Sequence, residues 1–69
     1  MENKRDIEGT VRQFDVDVWR IKIDNDWYVA GHGLVLQAIK HFPVGTEVKA
    51  GIVGDTIKSL VKQDPELMG

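Results

Sequence analysis

Arg12, Phe14, Arg20, Lys22 and Tyr28 are the residues of this chain whose types, taken together, could hold a polyanion. Aromatic rings offer flat surfaces on which nucleobases stack, and cationic side chains bind the phosphates between them. A single strand of DNA or RNA is therefore held where both types share one exposed surface. The same residues have an ordinary reading, since Arg and Lys solvate outer strand faces and Tyr is a common strand former. Asp15, Asp17, Asp24 and Asp26 flank the group and repel phosphate. With nine basic against eleven acidic residues and a formal charge of −2, no global field draws nucleic acid, so any binding has to come from a local patch.

The aspartates raise a second chemistry, because clustered carboxylates hold hard divalent cations. Asp15 and Asp17 precede the strand-like run Trp19 to Ile23, and Asp24 and Asp26 follow it. At about 3.3 Å per residue the two pairs stand roughly 15–20 Å apart and cannot share one ion. The run from Asp24 also fails as a calcium-binding helix–loop–helix segment: Val29 stands where the obligatory glycine belongs and Val35 where the bidentate glutamate belongs. Turn formation explains these residues better. His32, set between Gly31 and Gly33, is placed like an exposed functional imidazole, but Gly-His-Gly is better read as the turn from a strand into a helix. There is no cysteine, no serine at a strand-to-helix elbow, and His41 is nine positions away. No catalytic residue, metal ligand set or cofactor is expected, and an enzyme is disfavoured.

The elements that must position these side chains follow from periodicity. Ile7, Gly9, Val11 and Gln13 alternate with Glu8, Thr10, Arg12 and Phe14, the period-2 pattern of a first strand. Trp19, Ile21 and Ile23 alternate with Arg20, Lys22 and Asp24 in a second, amphipathic strand, and Trp27 to Ala30 returns as a third after an Asp-Asn-Asp turn. A three-residue loop would set Ile23 opposite Trp27. It would bury Trp27 and Val29, and leave Tyr28 outside beside Arg20 and Lys22. A two-residue loop setting Asp24 opposite Trp27 would put the tryptophan outside instead. The first is favoured, since Trp27 and Val29 continue the apolar set of Ile21 and Ile23, and in either case one large aromatic shares a face with Lys22. Trp19 is expected in the core.

Leu34, Val35, Ala38, Ile39 and Phe42 recur at helical spacing and are stopped by Pro43 and Gly45. The resulting helix has only two to three turns, suited to plugging one end of a barrel. Val48, Ala50 and Ile52 mark a fourth strand, Gly54-Asp55 a turn, and Ile57 to Lys62 a fifth strand. A chain of 69 residues has room for one domain and one small core. That domain is expected to span residues 1–69, with an ordered core at about 7–62, a flexible N-terminus and a C-terminal tail. The charged start and the absence of cysteine and of any run near 18 apolar residues point to the cytoplasm and away from secretion or a membrane.

The expected class is mainly β: a small five-stranded barrel with one short helix between strands three and four. From Ile7 to Lys62 this order resembles the oligonucleotide/oligosaccharide-binding (OB) fold, and Glu8-Gly9-Thr10-Val11 and Val44-Gly45-Thr46-Glu47-Val48 look like the strand starts of many such domains. A compact SH3-like barrel is the structural competitor. The resemblance implies a ligand site on the outer face of strands two and three. Two function classes follow. One is a non-enzymatic module binding single-stranded DNA or RNA through Arg12, Phe14, Arg20, Lys22 and Tyr28. The other is a protein-interaction or homo-oligomeric assembly module using strand edges or leftover apolar residues such as Leu36, Val53 and Leu60.

Overall fold

A computed structural model describes residues 4–63. Its longest element, β1 (Lys4–Asp15), begins earlier than the apolar alternation indicates, because Lys4, Arg5 and Asp6 pair with Val53, Ile52 and Gly51. Four further strands follow: β2 (Arg20–Ile23), β3 (Asp26–Val29), β4 (Glu47–Val53) and β5 (Thr56–Lys62). The helix α1 (His32–His41) lies between β3 and β4. The first half of β1 pairs antiparallel with β4 and its second half with β2. β2 pairs with β3, β4 with β5, and a single parallel rung, Val29 with Thr56, joins β3 to β5. The strands thus close in a ring in the order β1-β2-β3-β5-β4. The expected C-terminal tail lies outside the described residues.

Registers decide which side chains reach the interior, and two of them differ from the sequence expectation. The β2–β3 loop is two residues long, Asp24-Asn25, and Ile23 stands opposite Asp26, Lys22 opposite Trp27 and Ile21 opposite Tyr28. Neither pairing weighed from the sequence is the one adopted. Asp24 makes the tight turn possible by taking φ 55°, a left-handed conformation that aspartate enters more readily than most residues. A shift of one residue exchanges the faces of a strand, so Tyr28 is buried at 8 % exposure and Trp27 is exposed at 38 %. The expected burial of Trp27 and Val29 and the outward placement of Tyr28 are therefore corrected.

Phe14 is corrected by a different device. Val11 pairs with Ile23 but Gln13 pairs with Lys22, which leaves Arg12 as an extra residue in a β-bulge. One inserted residue reverses the alternation beyond it. Gln13 accordingly turns outward, and Phe14, opposite Ile21, packs against the core.

Val11, Ile21, Val48 and Ile52 from the strands are fully buried, joined by Val35 and Ala38 from the helix. No polar or charged residue is buried among the described residues, so apolar contact and backbone pairing hold the interior together. The helix starts two residues before Leu34. It buries Val35 and Ala38, packs Leu34 and Phe42 against the core, and leaves Leu36 and Ile39 exposed. Lys40 occupies its last turn, where positive charge complements the helix dipole. Trp19 falls in the turn before β2 with φ 57°. Its half-buried ring packs against the core from this turn, not from within β2 as the alternation suggests, and its centroid lies 4.4 Å from that of the His32 ring, tilted by 54°.

Candidate nucleic-acid interface

The outer face of β1–β3 is built from two cross-strand rows. Gln13, Lys22 and Trp27 form one, and Asp15, Arg20 and Val29 form the next. Neighbouring strands lie about 4.8 Å apart, so each row spans three side chains in direct reach of one another. The inward residues between them, Phe14, Ile21 and Tyr28, form the packed underside of the same sheet. Rigid strands therefore fix the exposed residues in place, without long flexible loops.

Within the first row, the Lys22 Nζ stands 5.9 Å from the centroid of the Trp27 ring. Such a cation over an aromatic face is held by the ring quadrupole. One large aromatic does share a face with Lys22, and it is Trp27. In the second row Arg20 faces Asp15 on one side and the exposed Val29 on the other. Arg12 is exposed at the bulge that borders the first row.

Of the five residues singled out in the sequence, Arg12, Arg20 and Lys22 come together on or beside this face, while Phe14 and Tyr28 belong to its interior side. Gln13 and Val29 are members that the sequence does not point to, and Trp27 enters from it only as the alternative that a two-residue loop allows. The Asp-Asn pair of the turn was the available signal for Trp27, since a two-residue hairpin loop is the commonest kind. Nothing in the residues announced the bulge at Arg12 that brings Gln13 outward.

Two of the flanking carboxylates, Asp15 and Asp24, are engaged at the ends of the strands. Asp24 Oδ1 accepts the Thr10 amide at 3.0 Å, and Asp15 Oδ1 accepts the Asp17 amide at 3.0 Å. The Asp15 carboxylate thus forms a local turn, and the Asp24 carboxylate ties the β2–β3 turn to β1. No group of three or more His, Asp or Glu side chains placed to hold a metal ion occurs among the described residues.

Elsewhere the surface is partly apolar. Val16 and Val18 in the β1–β2 turn, Leu36 on the helix, Val44 after it and Val61 on β5 are each about half exposed or more, whereas Leu60, one of the expected leftover apolar residues, is buried at 8 %. No helix among the described residues is long and apolar enough to cross a membrane. No family model, curated protein or solved structure matches the chain.

Proposed function

We propose that this chain is a small, non-enzymatic binding module of the OB-like barrel type, and that its ligand is single-stranded DNA or RNA laid across the outer face of β1–β3. The ring order β1-β2-β3-β5-β4 with a helix between β3 and β4 supports the barrel reading. Barrels of that plan use the strand 2–3 face for oligonucleotides. The observation that carries the proposal is the exposed Trp27 ring beside the Lys22 ammonium. A base and its phosphate need such a stacking surface next to a cation. In this reading Trp27 stacks on a base, Lys22, Arg20 and Arg12 neutralise phosphates, and Gln13 supplies a polar contact in the same row. Phe14 and Tyr28 support the face from within.

Anisotropy of fluorescently labelled single-stranded oligonucleotides at low and high salt tests the proposal. Affinity that falls as salt rises is expected, because bound phosphates release counterions. Absence of binding at low salt overturns it.

The exposed Leu36, Val16, Val18, Val44 and Val61 favour a second reading, an assembly module that meets a protein partner or another copy of itself. Sedimentation of the free protein at high concentration separates the two, since a strict monomer contradicts self-assembly.

A further inference from the structure

The seam between β3 and β5 leaves one residue of the proposed face with an unused backbone edge. In an antiparallel pair, residues alternate between exchanging hydrogen bonds with the residue opposite and turning their N–H and C=O to the other side. The Val29 amide donates to the Asp55 carbonyl at 2.8 Å, so the rung between Arg20 and Val29 is of the turned-away kind. Two residues on, the rung between Lys22 and Trp27 is of the same kind, and the Trp27 N–H and C=O therefore point away from β2, towards the β5 side.

Among the described residues no hydrogen-bond partner meets them there. β5 begins at Thr56 and pairs with β3 only at Val29, while Gly54-Asp55 forms the turn back to β4. Trp27 lies about 6–7 Å further along β3. Among the described residues, no turn, loop or side-chain hydrogen bond takes up either group.

We infer that this donor and acceptor of Trp27 read the Watson–Crick edge of one unpaired nucleobase, an inference that rests on the function proposed above. Each base carries a hydrogen-bond donor beside an acceptor on that edge, and unstacked bases are commonly read there. A base in a duplex has spent both groups on its partner strand, so the edge selects single strands. The occupant is set by how short the edge is. An added peptide strand gains its affinity from a run of main-chain hydrogen bonds, whereas this edge is bounded by the Asp24-Asn25 turn and the Val29 rung and offers a single pair. That suits one planar heterocycle. The surroundings fit the same ligand, since the Trp27 ring can stack the neighbouring base and Lys22 and Arg20 can meet the intervening phosphates on the adjoining face.

The test uses the full chain labelled with nitrogen-15 and three probes: oligothymidine, the same oligomer methylated at thymine N3, and a duplex of equal length. Oligothymidine is expected to slow exchange of the Trp27 backbone amide and to bind about tenfold more tightly than either of the others, the gain of one or two modest hydrogen bonds. If oligothymidine and its methylated form bind equally and the Trp27 amide stays unprotected, the inference falls while the proposed function stands. If none of the probes binds, both fall. Protection of the Trp27 amide that grows with protein concentration, without oligonucleotide, would assign the edge to a second copy and likewise overturn the inference.

Discussion

Gly9 on β1 packs against Asp24 of the β2–β3 turn so closely that a Cβ on Gly9 would stand 2.5 Å from Asp24 Oδ2 and 2.7 Å from Ile23 Cγ2. The same carboxylate accepts the Thr10 amide, and the Asp24 amide donates to the Thr10 carbonyl at 2.9 Å. The tip of the hairpin is thereby pinned to β1, and with it the register that sends Trp27 outward.

Gly9→Ala is expected to destabilise the fold by about 1–3 kcal/mol, the usual range for forcing an extra carbon into a packed site. Gly51→Ala provides the comparison. Its Cβ would meet the Ser59 hydroxyl at 2.7 Å, and because a hydroxyl rotates away, a smaller loss is expected. Urea unfolding of both variants checks the order, and equal losses would contradict the close packing of Gly9.

At Asp24 the side chain and the backbone conformation can be separated. Asp24→Ala removes the acceptor for the Thr10 amide and places alanine at positive φ, so a loss of about 1–2 kcal/mol is expected. Asp24→Asn keeps an acceptor oxygen and tolerates that φ, and should stay within about 0.5 kcal/mol of the parent. Thermal unfolding of the two variants distinguishes them.

Trp27 and Tyr28 are neighbours in sequence with opposite expected phenotypes. Trp27→Ala should leave stability nearly unchanged and weaken oligonucleotide binding by about 1–3 kcal/mol. Tyr28→Ala empties a buried position and should lower stability by about 3 kcal/mol or more. Circular dichroism melts paired with anisotropy titrations read both. A reversed pattern would mean that the strand register is the other one.

Lys22→Gln and Arg20→Gln are each expected to reduce by about one the slope of log affinity against log salt, because each removes one phosphate contact. Lys40→Gln, on the last turn of the helix, should leave the slope unchanged. Titrations at four or five salt concentrations suffice. A uniform response of all three would indicate that charge acts at a distance and not through this face.

The order of elements could be read from the sequence because each carries its own periodic signal. Leu34, Val35, Ala38 and Phe42 mark the helix, and Ile21 and Ile23 mark β2, by spacing alone. Lys4 to Asp6 carry no alternation of hydrophobicity, and they are strand only because β4 supplies a partner across the ring. The faces were harder, since parity along a strand is lost at one inserted residue. At Arg12 nothing in the residue type records the bulge, and at Asp24 a conformation open to several residue types chose the loop length. Phe14 and Tyr28 lie on the inner face for those two separate reasons, whereas Arg20 and Lys22 keep the outer face that the alternation with Ile21 and Ile23 indicates, as Glu47 and Lys49 do on β4.

β1 pairs with both β2 and β4, and this double role has a kinetic side. Its second half meets β2 across a short turn, but its first half must find residues Glu47–Val53, far along the chain. Loop closure over so much chain slows folding relative to a local hairpin. The β1–β2–β3 meander is thus the part able to form early, with Lys4 to Thr10 left as an unpaired strand until the second hairpin arrives. During that interval the folding chain exposes an edge on which it could mispair. The charges of Lys4, Arg5, Asp6 and Glu8 along that edge are the kind of residues that discourage such pairing.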